Sequence, residues 1–279
     1  MVIGTVVNAS GLQGAMLMAY SVKQHMPDVR IVVCLVEENI NPSGYYPDID
    51  RMITARELSG CIGFQEFDRY ISRFSGLQHA VAMKSQLLKY LLEAYPEEQH
   101  IVYLDPEMYV LGPFAELEHM LHHYDIVLTP HHLEPSEPWD CSREIGTLQD
   151  GTFHSGFVAV KNSREGHDFA SWWITLMAGE FEGQPQGVFI DQPYLNFVPA
   201  FFNAGVLRHP GYNLAFWNLH ESGRQVYREG GEYRLTGGVP LRCSNFSNFL
   251  GLLDYCLGTF VPDNSDYASL WMEYKRRLS

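Results

Sequence analysis

The chain opens on an unbroken apolar run, "VIGTVVNA" at 2–9, which stops at Ser10-Gly11. A run of that length without alternation predicts a strand buried on both faces. Ala15, Met18, Ala19 and Val22 then recur at helical spacing, and "PDVRIVVCLV" supplies the next strand, so the opening reads as a βαβ unit. After an irregular crossover, Leu77, Val81, Leu88 and Leu91 fall on approximately one face of a helix between Ser75 and Tyr95, and "QHIVYLD" follows as a short buried strand. "PFAELEHMLHHY" predicts a helix and "DIVLTPH" another strand. This order predicts an α/β fold with a mixed, mostly parallel sheet flanked by helices.

The periodicity breaks at "PHHLEPSEPWDCSREIGTLQDGT", from Pro130 to Thr152, which reads as a long excursion from the scaffold of the kind that forms lids or binding loops. "SGFVAV" restores a strand, "HDFASWWITLMAG" a helix, and "GVFIDQPYLNFVP" a turn feeding another helix. Short strands and loops follow. Tyr267, Leu270, Trp271 and Tyr274 then lie on a helical stripe between Asn264 and Ser279 that ends in "KRR". The expected division is a domain over 1–250 with a C-terminal helical appendage over 251–279.

Composition narrows this picture. With 279 residues, 46% of them hydrophobic, the chain can bury one substantial core. Its apolar runs are short and broken, which predicts no integral membrane segment, and the opening lacks the charged start of a signal peptide. Cytoplasmic location is expected, with peripheral membrane association through the aromatic and basic C-terminal segment as the alternative to core packing. Cys34, Cys61, Cys141, Cys243 and Cys256 are odd in number and widely spaced, as reduced thiols are. A formal net charge of −14 argues against a nucleic-acid surface. The histidines include no compact zinc signature, and His122-His123 and His131-His132 read as surface and loop positions.

The chemistry concentrates in "YLDPEMYVLGPF", Tyr103 to Phe114. Asp105 follows a predicted strand, at the carboxyl edge where open α/β sheets meet ligands. Pro106 stiffens the loop between Asp105 and Glu107. Such a pair can hold a hard divalent cation, or Asp105 can cap a turn while Glu107 faces solvent. Residues alone leave both readings open.

Taken with "VLGPFAEL", this stretch resembles the "YLDPDI…GPLDEL" segment of nucleotide-sugar-dependent glycosyltransferases of the GT-A (Rossmann-like) fold, related to glycosyltransferase family 8. "TVVNASGLQGAMLMAYSVKQHMPD" looks like their donor-binding opening and "GTFHSGFVAVKNS" like their "NxGF" segment. "FIDQPYLNFVP" and "HPGYNLAFWNLH" are similar to the later motifs, so the resemblance covers about residues 1–250. It implies a nucleotide diphosphate sugar donor, commonly a UDP-sugar, and Mn2+, with Mg2+ as the alternative. Asp105 and Glu107 then stand at the D-x-D positions, Glu107 one methylene longer than usual. Asn245 stands where the family carries a metal-binding histidine, and Asn248 where it carries a glycine on the phosphate side.

The same resemblance assigns base and ribose contacts to Thr5, Asn8 and Ala9; Glu37 or Glu38, after the second strand, is placed either to accept from base or ribose or to stand as a surface carboxylate. Lys84 resembles a family lysine directed toward the donor, with a snorkelling lysine as the plain alternative, and Leu104 joins Asp105 in the donor-binding set. Asp191 and Gln192 are the catalytic candidates beside the sugar, although Asp191 also suits a plain N-cap. His154 replaces the asparagine of "NxGF", with Ser155 and Gly156 allowing close approach of the sugar. His131, Asn213, Trp217, Asn218 and His220 form an expected acceptor side for a carbohydrate, glycoconjugate or other hydroxyl. Retention of anomeric configuration follows from the resemblance alone. A binding protein that lost turnover and a nucleotide-sugar phosphohydrolase stand as alternatives.

Overall fold

The computed structural model describes residues 1–37, 46–135, 141–179, 190–248, 251–261 and 265–278. Glu38, Asn264 and residues 187–189 of the predicted turn lie outside them. The first half runs β1 (Val2–Val7), α1 (Leu12–His25), β2 (Arg30–Leu35), β3 (Arg51–Thr54), α2 (Ala55–Cys61), α3 (Phe67–Ile71), α4 (Gln78–Ala94), β4 (His100–Leu104), β5 (Met108–Val110), α5 (Ala115–Leu121) and β6 (Ile126–Pro130). The second continues with α6 (Cys141–Asp150), β7 (Phe153–Lys161), α7 (Arg164–Ala178), α8 (Val198–Phe201), β8 (Ala204–Val206), β9 (Val226–Glu229), β10 (Glu232–Leu235), β11 (Val239–Pro240), β12 (Cys243–Asn245), α9 (Leu252–Phe260) and α10 (Tyr267–Leu278).

Seven strands form the central sheet in the order β3-β2-β1-β4-β7-β6-β8. The pairs β1–β2, β1–β4, β2–β3 and β6–β8 are parallel, whereas β7 runs antiparallel to β4 and β6. The period of two along β1 divides its side chains between two cores. Val2 and Val6 pack with Leu87 and Leu91 of α4 and Trp173 of α7, while Ile3 and Val7 pack with Ala15, Met18 and Val22 of α1 and Leu117 of α5. Gly4 lets α4 lie directly on the strand, since a Cβ there would stand 2.6 Å from Leu91 Cδ1.

A third core joins the C-terminal helices to the body. Tyr267, Leu270, Trp271 and Tyr274 of α10 are all buried, in one cluster with Tyr109, Leu17 and Phe246. The Trp271 and Tyr274 rings lie 5.4 and 4.6 Å from Phe246. The aromatic stripe expected on this helix is therefore spent on the protein interior. Among the described residues no helix is long and apolar enough to cross a membrane.

Three sequence expectations need correction. The crossover before α4 holds an edge strand and two helices, β3, α2 and α3. The excursion after Pro130 contains the ten-residue helix α6, while residues 136–140 lie outside the described set. Leu77 does not share the buried face of α4: it precedes the helix and is 51% exposed.

Candidate functional site

A cleft of about 700 Å³ opens at the carboxyl ends of β1 and β4, and Asp105, Pro106 and Glu107 line it. That volume suits a ligand of nucleotide-sugar size. The buried Lys84 reaches Asp105 from α4, its Nζ 3.2 Å from Asp105 Oδ1 and 3.6 Å from Asp191 Oδ2. The same Nζ donates to Ser155 Oγ at 3.0 Å, and the Tyr103 hydroxyl donates to Asp105 Oδ1 at 3.1 Å. Gly156 lies against this group because a Cβ there would collide with Asp105 Oδ2 and His154 Cε1.

The charges do not balance. Asp105, Glu107 and Asp191 surround one ammonium, leaving a surplus of two negative charges when all are ionised. Burial disfavours the Lys84 cation, but Asp105 and Asp191 outweigh it and hold its pKa above the ordinary lysine value. Burial likewise opposes ionisation of Asp105, yet Lys84 and then His154 keep that carboxyl below the usual range. The surplus appears at the other two: burial and then Asp105 push Glu107 up to about 7, and burial raises Asp191 despite Lys84. Burial and a neighbouring like charge oppose ionisation here, and a divalent cation beside Asp105 and Glu107, which line the open cleft, would relieve that cost.

Asn245 reaches this group through a strand pairing absent from the sequence reading. β12 runs antiparallel to β5 with Asn245 opposite Met108, and the Phe246 N–H donates to the Glu107 carbonyl at 2.9 Å. Asn245 is among the residues lining the cleft, and its Oδ1 accepts from Ser247 N at 2.8 Å, which leaves the oxygen a second lone pair. Asp105, Glu107 and Asn245 each carry an oxygen of the type that a hard ion takes.

Gln192 lines the opposite wall. Its Oε1 accepts from Ser155 N at 3.1 Å and its Nε2 donates to the Asp150 carbonyl at 3.0 Å, so both ends of the amide are fixed. Asp191 sits at an N-cap position but makes no capping hydrogen bond, and it is fully buried behind Lys84. His131, His154 and Trp217 form an aromatic corner, with ring centroids 5.3 Å apart for His131–His154 and His131–Trp217 and 4.8 Å for His154–Trp217. Burial lowers the His154 imidazole to about 4, and burial with the neighbouring histidines lowers His131 well below 6.5.

Several predicted residues do not line the cleft. Thr5 and Leu104 point into the core with no exposure, whereas their neighbours Val6, Val7 and Asn8 line it. Ala9 and Glu37 meet each other, the Ala9 N–H donating to Glu37 Oε2 at 2.9 Å. Asn213 is fully buried, at φ 54°. Asn218 is fully buried as well, its Nδ2 donating to the carbonyls of His131 and Asn213 and its Oδ1 accepting from Ala215 N. Asn248 spends its amide on α9, accepting from Leu253 N at 3.0 Å and donating to Asp254 at 2.8 Å. Ser155 and Gly156 stand one layer behind, against Lys84 and Asp105.

The excursion expected to form a lid or binding loop does line the cleft, through a helix, whereas a second wall and one cluster were not anticipated. α6 contributes Arg143, Thr147 and Asp150 to the cleft, and α9 contributes Leu252, Tyr255 and Phe260. His132, His220 and Glu221 converge at the rim with ligand atoms within 4.8 Å of one another, an arrangement able to hold a metal ion. None of these carries a local motif.

No protein-family model matches the chain, nor does any curated protein sequence. Solved structures do match. Galactosyltransferase LgtC, in complex with donor and acceptor sugar analogues, superposes at a TM-score of 0.51 with 13% identity, over 98% of this chain and 100% of that one. The glycosyltransferase GlyE of Streptococcus pneumoniae gives 0.50 at 14% identity, over 99% of this chain but 62% of its own. A glycosyltransferase involved in glycosylation of the major capsid of PBCV-1 gives 0.51 at 9% identity, over 93% and 100%. At these identities the likeness establishes the fold, the GT-A architecture.

Proposed function

We propose that the protein is a divalent-cation-dependent glycosyltransferase, related to glycosyltransferase family 8, which moves a sugar from a UDP-sugar to a hydroxyl acceptor with retention. The observation that carries this reading is the cluster of Asp105, Glu107 and, buried behind Lys84, Asp191, three carboxyl groups set against one ammonium, with Asp105 and Glu107 lining a cleft of nucleotide-sugar size. The glycosyltransferase structures with the same fold give it a reaction class. Manganese, or magnesium in its place, would be held by Asp105, Glu107 and Asn245, and when bound supplies positive charge for the donor phosphates and the departing diphosphate.

The chain's own groups perform the rest. Lys84 keeps Asp105 ionised as an oxygen donor while Tyr103 and Ser155 fix the pair, so the carboxylate is oriented before any ligand arrives. Gln192, held at both ends, presents its amide at the wall where the reacting sugar carbon would lie. Trp217, His131 and His220 offer aromatic faces and nitrogen to an acceptor sugar, whose ring faces are apolar and whose edges carry hydroxyls. Retention rests on the family resemblance; the burial of Asp191 removes one candidate for the base that inversion would need. The leaving phosphate is then the group that takes the acceptor proton.

The use of Asn248 as a cap for α9 favours a second reading, a nucleotide-sugar binding protein without turnover. Incubation with a panel of nucleotide sugars and Mn2+ separates the possibilities. Nucleoside diphosphate release supports transfer, tight binding without release supports the binding protein, and nucleoside monophosphate with sugar phosphate identifies a phosphohydrolase. NMR of the first glycosidic product tests retention, which an inverted anomeric centre would overturn.

A further inference from the structure

We propose that His132, His220 and Glu221 form a second metal site, selective for a zinc-class cation, at the rim of the cleft and separate from the Asp105 group. The two histidines stand on different segments, one just after β6 and the other ahead of β9, and their rings approach to 5.4 Å. His132 Nδ1 lies 3.6 Å from Glu221 Oε1. That separation is long for a hydrogen bond. It is close to the roughly 3.4 Å between neighbouring ligand atoms of a tetrahedral ion with bonds of about 2.0–2.2 Å. His132 Nδ1 is buried and makes no hydrogen bond within 3.5 Å, which leaves it available as a ligand atom.

Glu221 is oriented as a ligating carboxylate is. It is 3% exposed, Oε1 accepts from Leu133 N at 2.8 Å, and Oε2 pairs with Arg224 Nε at 2.7 Å. Contacts of this kind behind a metal ligand hold its geometry. Arg224 also cancels the carboxylate charge, so the site attracts a cation through imidazole nitrogen more than through charge. That donor set favours zinc over manganese, calcium or magnesium, which prefer several oxygens. His132 and His220 line both the central cleft and an adjoining cavity of about 780 Å³, which leaves room for water at a further ligand position. A bound ion would tie together the two segments that carry His131 and Trp217.

Cobalt(II) titration of the full chain, followed by the visible absorption of four-coordinate cobalt, tests this without any donor or turnover. The expected result is one such cobalt per chain, displaced by Zn2+, retained in Asp105→Ala and weakened at least tenfold in His220→Ala and in His132→Ala, with far-UV circular dichroism unchanged. An unchanged spectrum and stoichiometry in a folded His220→Ala protein would overturn the proposal, as would a wild-type chain that gives no four-coordinate band. Because the readout is the metal alone, failure of the donor reaction leaves this result standing, and the reverse holds too.

Discussion

Lys84→Met removes the ammonium that touches two carboxylates while keeping a side chain of similar reach. Lys84 is 5% exposed and Asp191 1%, and the two contacts are 3.2 and 3.6 Å. At an effective dielectric of about 20, each such pair is worth roughly 5 kcal/mol before desolvation. Removal of one partner from a buried pair costs on the order of 3–5 kcal/mol, because the remaining charge stays buried. The variant is expected to lose about 4 kcal/mol at pH 8. The sign of the pH dependence follows from the wild-type shifts. Asp105 lies below the usual carboxylate range, so it contributes stability above that range, lost as pH falls. Without Lys84, Asp105 and Asp191 both lie above their unfolded values, the folded state binds more protons, and acid relieves the penalty. Urea unfolding at pH 5 and pH 8 reads the effect: the gap between variant and wild type should at least halve at pH 5. A gap below 1 kcal/mol at pH 8, or one equal at both pH values, would refute the charge network.

Gly156→Ala drives a Cβ into Asp105 and His154, so it should cost about 1–3 kcal/mol by urea unfolding and at least a hundredfold in divalent-dependent donor turnover. The raised Glu107 and Asp191 oppose acid destabilisation of the wild type, whereas His131 and His154, held neutral while their unfolded counterparts protonate, promote it between pH 6.5 and about 4. Each histidine contributes at most about 1.4 kcal/mol per pH unit, present above pH 6.5 and lost as pH falls, and His131→Asn should remove its share of that slope in thermal unfolding. Asn248→Ala removes the side chain that caps α9 and should cost about 1 kcal/mol. Hydrogen exchange should show faster opening of α9 in this variant, with α4 unchanged.

The parts of the fold legible in the chain are those whose burial is written locally. β1, β2, β4, β6 and β7 are apolar runs, and α1, α4, α7 and α10 carry stripes at helical spacing. β3 escaped because Ile53 is its only fully buried residue in four. α6 escaped for a different reason: its ten residues hold few apolar positions, and two of them, Ile145 and Leu148, are 55% and 62% exposed. Its last turn is held from outside, by Gln192 Nε2 on the Asp150 carbonyl and Asn196 Nδ2 on that of Leu148. The site divides the same way. Asp105 and Glu107 were visible because they follow a strand, and Lys84, inside α4, through the family resemblance, whereas Asn245 depended on the β5–β12 pairing and the His132 cluster on two loops far apart in the chain. The described cysteines, Cys34, Cys61, Cys243 and Cys256, are free.

The central claim is that Asp105, Glu107 and Asn245 hold a divalent ion on which donor chemistry depends. The most direct test measures nucleoside diphosphate release from UDP-sugars with and without Mn2+, for the wild type, Asp105→Ala and Glu107→Asp. The account predicts Mn2+-dependent UDP release by the wild type, its loss in Asp105→Ala and partial retention in Glu107→Asp. Full turnover by Asp105→Ala, or release that is indifferent to Mn2+, would contradict it.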